Sequence, residues 1–202
     1  MDQRTIRSGI EVSADNLSYS SEPFPHLALP AFLSPAAADQ VLAWLQTDAP
    51  WRLRVESFYE QYEFSLISED DSPASGELAG EKMVAAVRKL ICEHFAVSGG
   101  LSLVDVSAHK LTSGQTIRIH NDWIGGEETH RFLIQLNDGW SIGQGGLLML
   151  FASKAPDDVC SIIEPTHGSA FAFEISDHSF HAVSTIKSGE RFTLVYTFCD
   201  RG

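Results

Sequence analysis

After Gly99-Gly100 the chain changes texture, and this change limits the fold more than any other feature of the sequence. The runs LSLVDVSAHKL, TIRIH, RFLIQL, GLLMLF, CSIIEP, SAFAFE, HAVSTI and RFTLVYTF follow one another, separated by turn-forming stretches such as NDG, GQGG and KSGE. About eight short strands at this spacing predict a double-sheet jelly roll of the cupin type. Two helices are legible ahead of them. Ser34-Pro35 is an N-cap followed by proline at the first helical position, and Ala38, Val41, Leu42 and Leu45 then recur at helical spacing. A second helix is expected from Glu77 to Phe95, with Met83, Val87, Leu90 and Ile91 as its apolar stripe. Helices that precede the strands, rather than alternate with them, argue against a parallel βαβ fold.

The sequence therefore predicts a mainly β protein with flanking helices: a double-stranded β-helix (jelly roll, cupin-like) with its N-terminal helices packed on one sheet. Its length of 202 residues suits a single all-β domain. Residues 1–22 are polar and serine-rich and read as a flexible N-terminal arm, with the domain spanning 23–202. The stretch EDDSPASG, 69–76, reads as an exposed acidic loop, with a mobile lid as the lesser reading.

A net charge of −13 disfavours nucleic acid and anionic membrane partners, which are bound through clustered Lys and Arg. Cys92, Cys160 and Cys199 form no CxxC pair, so a thiolate zinc site is not expected and a reducing, cytoplasmic setting fits best. Neither a signal peptide nor a membrane-spanning run of about 20 apolar residues is legible.

Within TIRIHND, His120 and Asp122 stand two apart, so an extended strand would project both side chains the same way. An imidazole and a carboxylate at a strand end are half of a metal site. The set of two histidines and one carboxylate is the facial triad of non-haem iron(II) oxygenases. Alone, the pair is weak evidence and reads more readily as a surface His beside a surface Asp. About sixty residues on, His181 opens another strand, and Arg191 follows ten residues later, past the Ser188-Gly189 turn.

In this order the motifs resemble the iron(II)/2-oxoglutarate dioxygenases, in their prolyl 4-hydroxylase-like branch. The resemblance runs from about Leu111 to Phe198. It takes in Gly114, Ile117, HND at 120–122, HRFLIQLN at 130–137, GGLLML at 145–150, IEPTHGSAFAF at 163–173, HAV at 181–183 and ERFTL at 190–194. PFPHLALPAFLSP, 23–35, is similar to the entry segment of small bacterial members.

The resemblance implies that His120, Asp122 and His181 are the iron(II) ligands and catalytic centre. It implies that Arg191 binds the distal carboxylate of the co-substrate 2-oxoglutarate, with Thr193 adding a hydroxyl. Tyrosines common in the family are replaced by Leu111 and Gln135, and Gln135 would donate a hydrogen bond in their place. GGLLML lacks the family's usual Glu. Related halogenases carry a small residue where this chain has Asp122, so hydroxylation is implied.

The implied reaction hydroxylates an unactivated C–H bond with O2 and releases succinate and CO2; ascorbate is admitted as an accessory reductant. A small molecule, such as an amino acid or related metabolite, is the expected substrate, because the chain carries no peptide-binding appendage. A protein or peptidyl-prolyl hydroxylase is the alternative. A non-catalytic cupin-like metal-binding or sensor protein is the third reading, and Arg191 speaks against it.

Trp123, Arg118, Arg131 and Trp140 are candidate substrate residues, the arginines as partners for an anionic group. His178 rivals His181 as a ligand, but the spacing to Arg191 and the Ala-Val that follows favour His181. His26, His94, His109, His130 and His167 read as structural or surface residues. Phe58, Tyr59 and Tyr62 read as an aromatic strand in the core, with a substrate-lining role as the lesser reading. Gly145-Gly146 reads as a tight turn rather than a phosphate cradle, since no helix follows it.

Overall fold

The computed structural model describes residues 10–70 and 72–202. In chain order the elements are strands β1 (Ser18–Ser20) and β2 (His26–Leu29), helix α1 (Pro35–Thr47), strands β3 (Arg52–Val55) and β4 (Glu60–Ser65), and helices α2 (Pro73–Leu78) and α3 (Glu81–His94). Eight strands follow, as many as the sequence predicts: β5 (Leu101–Thr112), β6 (Ile117–His120), β7 (His130–Gln135), β8 (Leu148–Phe151), β9 (Val159–Ile163), β10 (Ala170–Glu174), β11 (His181–Val183) and β12 (Glu190–Asp200).

They form two antiparallel sheets, one ordered β1-β2-β10-β7-β12-β5-β4-β3 and the other β6-β11-β8-β9. This is the expected jelly roll. The long strands β5 and β12 pair over eleven positions, with one register shift between Thr197 and Phe198. Phe192, Leu194, Tyr196 and Phe198 of β12 face a core shared with Val41 and Leu45 of α1 and Val87 and Ile91 of α3. Both helices thus cover the large sheet, as their stripes predict. Between the sheets a smaller apolar cluster, including Leu111, Leu148, Phe171, Phe173 and Val183, fills only part of the barrel. The remainder of the interior is polar.

Several local expectations are corrected. The second helix does not run unbroken from 77. Ser72 caps α2 by accepting from the Ser75 amide at 3.2 Å, and Gly80 starts α3. A Cβ on Gly80 would lie 2.6 Å from the Gly76 carbonyl oxygen, so the two helices can meet this closely only at a glycine. The acidic stretch is therefore partly helical, and Asp70 accepts from the Ser72 and Ser75 hydroxyls at 2.6 and 2.5 Å.

Of the N-terminal arm, residues 1–9 lie outside the described residues. Beyond them Ile10 is buried, Val12 bridges to Leu33, and β1 pairs with β2, so this stretch lies on the sheet. The aromatic stretch around Phe58 is the turn of the β3–β4 hairpin rather than one strand. No helix among the described residues is long and apolar enough to cross a membrane.

Candidate metal centre and co-substrate pocket

His120 ends β6 and His181 opens β11, and these strands pair so that the two histidines are direct cross-strand partners. Their ring centroids are 4.2 Å apart. Asp122 lies past the end of β6, not on it. Its φ of +59° is in the left-handed region, which Asp tolerates better than most residues. That reversal, rather than strand alternation, turns its carboxylate back onto the histidines. Ligand atoms of the three residues all lie within 4.8 Å of one another.

The donor chemistry suits a divalent metal. His120 Nδ1 is 2.9 Å from the Arg118 carbonyl, and His181 Nδ1 is 2.8 Å from the Ser179 carbonyl. A carbonyl only accepts, so each Nδ1 carries the proton. Each Nε2 is left facing Asp122, at 3.2 Å from Oδ1 and 3.6 Å from Oδ2. Burial, aided by the neighbouring His120, pushes His181 down to about 4, so its ring is neutral near pH 7. For Asp122, burial favours the neutral acid. The Arg131 guanidinium and the His120 hydrogen bond outweigh it and hold the carboxyl well below its usual range.

The same cavity, about 190 Å³, ends at Arg191. Arg191 is 4 % exposed, and its Nη1 donates to Thr193 Oγ1 at 2.8 Å. Its Nε and Nη2 have no partner. Desolvation lowers the guanidinium to about 10, which leaves it charged. A buried cation with two free donors in a fork is a site for a carboxylate. Gly146 makes room for it, since a Cβ there would sit 2.9 Å from Arg191 Cδ. One pocket therefore joins a metal-binding trio to a buried carboxylate anchor.

Residues 106–198 match the model of the 2OG-Fe(II) oxygenase superfamily. The matched stretch carries His120, Asp122, His181 and Arg191. The oxygenase is 25% identical over 194 residues to mouse (Mus musculus) prolyl 3-hydroxylase OGFOD1, covering 90% of its own length and 33% of the relative's. It thus spans about a third of the curated relative it matches. Among solved structures it resembles a Pseudomonas putida prolyl-4-hydroxylase, with 17% identity, 92% of each chain covered and a TM-score of 0.64. It also resembles a Trichoplax adhaerens prolyl hydroxylase in complex with a hypoxia inducible factor peptide fragment, with 14% identity, 87% and 83% covered and a TM-score of 0.70. The superfamily uses Fe(II) and 2-oxoglutarate, and the trio fits that metal.

Of the other expected residues, Arg131 lines the cavity, and Gln135, Arg118, Trp140 and Trp123 do not. Gln135 is buried behind Thr193, whose hydroxyl donates to Gln135 Oε1 at 3.1 Å, and it does not line the cavity. Arg131 does not wait for an anionic substrate. Its Nε donates to Asp122 Oδ2 at 2.7 Å, its Nη1 to Thr197 Oγ1 at 2.9 Å and its Nη2 to Glu128 Oε2 at 2.8 Å. All three nitrogens are engaged. Arg118 donates to the Ser57 carbonyl on the hairpin turn, outside the cavity. Trp140 donates to the Gly145 carbonyl at 2.9 Å and supports that turn. Trp123 is exposed just beyond Asp122 and does not line the cavity. His178 is solvent-exposed and apart from the trio.

Three residues that read from the sequence as core, structural or surface positions line the cavity. Phe58 stacks on His120 with centroids 4.5 Å apart, Tyr59 lies beside it, and His109 projects from β5. Gln61 joins them without any sequence signal. The alternation of β5 does place His109 on the face of Ser107 and Leu111, and that was the one legible hint.

Proposed function

We propose that the oxygenase hydroxylates a prolyl residue carried by a peptide or protein, with 2-oxoglutarate as co-substrate. The reading rests first on one observation: the three metal donors and the two free donors of Arg191 share a cavity. In this reading His120 Nε2, His181 Nε2 and an Asp122 carboxylate oxygen hold iron(II), and Arg191 takes the distal carboxylate of 2-oxoglutarate. Thr193 holds Arg191 in place, and Arg131 keeps Asp122 ionised and aimed. When bound, the iron supplies oxygen activation coupled to decarboxylation of 2-oxoglutarate. Phe58, Phe173 and Ile117 wall the site and limit water.

The prolyl assignment is supported by the relatives, all three of which are named as prolyl hydroxylases. The modest cavity favours a second reading, a free amino acid or small metabolite. One experiment separates the two. The iron-loaded chain is supplied with 2-oxoglutarate and O2, with and without ascorbate, and offered either proline-containing peptides or free amino acids. The expected result is a peptide gaining one oxygen atom in step with succinate. Oxidised amino acids beside unmodified peptides would overturn the prolyl reading, and absence of succinate with every substrate would overturn turnover itself.

A further inference from the structure

Gln61 is 2 % exposed and lines the cavity, yet its Oε1 has no hydrogen-bond partner. The amide cannot be turned to hide that atom. Its Nε2 donates to Glu63 Oε2 at 2.6 Å and to His109 Nδ1 at 3.2 Å. Glu63 is a pure acceptor, held on its other oxygen by Arg54 at 2.6 Å. With its Nδ1 accepting, His109 is left to donate from Nε2 to Ser107 Oγ at 2.9 Å. Burial, reinforced by the positive field of Arg131, pushes His109 down to about 3, so it stays a neutral acceptor toward Gln61. Within Arg54–Glu63–Gln61–His109–Ser107 both hydrogens of the Gln61 amide are therefore spent, one on Glu63 and one on His109, and Gln61 Oε1 is left open. A buried amide acceptor left empty is destabilising, so it needs a donor.

2-Oxoglutarate does not provide one. At neutral pH it is a dianion without N–H or O–H groups. Its anchor Arg191 is on β12, while Gln61 is on β4, two strands away across β5 in the same sheet row. Strands in a sheet lie about 4.8 Å apart, so the two positions are roughly 10 Å apart at the backbone. An ammonium donor is disfavoured, because the cavity already holds the guanidiniums of Arg131 and Arg191 beside a divalent metal site.

We propose that Gln61 Oε1 accepts a hydrogen bond from a backbone N–H of the substrate peptide, which makes the β4 side of the cavity a peptide subsite. The inference rests on the peptide reading above. The oxygenase then discriminates a peptide from a free amino acid by a neutral acceptor placed where the zwitterion would present its charge.

The test uses the iron-loaded full chain, a proline-containing peptide that the enzyme oxidises, and versions of that peptide with each amide replaced in turn by an ester. Gln61→Met keeps the volume and removes the acceptor. It should raise the peptide KM about tenfold and leave the KM for 2-oxoglutarate unchanged. One ester should raise the KM of the unaltered enzyme by a similar factor and have no further effect on Gln61→Met. The ester series on the unaltered enzyme needs no variant to fold. If every ester is as good a substrate as the amide, or if Gln61→Met weakens 2-oxoglutarate instead of peptide, the inference is overturned. An unaltered enzyme that oxidises free amino acids and no peptide overturns the peptide reading and the subsite together, and that outcome shows before any variant is made.

Discussion

The two faces of β12 differ in chemistry, although they alternate along one strand. Toward the helices, Phe192, Leu194, Tyr196 and Phe198 are buried among apolar partners, and the Tyr196 hydroxyl donates to the Leu78 carbonyl at 2.9 Å. Toward the barrel, Arg191, Thr193 and Thr197 are equally buried but lie in a polar interior, and Arg191 keeps two donors empty. Burial stabilises the first face. On the second it is a cost the fold carries, because a buried polar group without its partner is destabilising. Helix-side residues should therefore govern stability, and barrel-side residues should govern ligands.

Substitutions on the two faces should separate these roles. Asp122→Ala should have the largest effect, abolishing coupled succinate formation; retained turnover would remove Asp122 from the proposed metal set. Phe198→Ala should cost about 3–5 kcal/mol in urea unfolding, as a large buried side chain does. Arg191→Leu should show the reverse pattern, with the 2-oxoglutarate KM raised roughly 10- to 100-fold and no loss of stability. Equal stability losses from Phe198→Ala and Arg191→Leu would break the comparison. Arg131→Gln should weaken Mn(II) affinity by about 10- to 100-fold, the usual effect of losing a group that orients a metal ligand.

The gentlest test is pH. Burial holds His109 near 3 and His130 near 4, against an ordinary value of about 6.5. Below about 6.5 the unfolded chain takes up protons on these rings, and the folded chain does so only near 4 and 3. Stability is thus fully present above 6.5 and lost as pH falls toward 4. The urea midpoint of the metal-free chain should decline across that window, and His130→Leu should flatten part of the slope. A flat profile would mean that neither ring is shifted.

Periodicity carried most of the architecture. The stripe of α1, the strands after Gly100 and the order His120, Asp122, His181, Arg191 are local or ordered patterns that survive in one dimension. The break at Gly80 was not legible, because a close backbone approach leaves no mark in an apolar stripe. Nor was the role of Arg131, since nothing in HRFLIQL distinguishes an arginine facing a substrate from one facing Asp122.

By itself, then, the sequence determined a helix-flanked jelly roll, because strand and helix periods are local properties, and its ordered motifs pointed through a family resemblance to the residues able to bind a metal and a carboxylate. Only the tertiary structure decided how those residues are used. The left-handed turn at Asp122 aims the carboxylate, and the pairing of β6 with β11 joins the two histidines. The register of β4 on β5 sets Gln61 against His109, with one acceptor open. Each of these depends on which strands are neighbours and in what register, and that is settled by burial summed over the whole barrel rather than by any one segment.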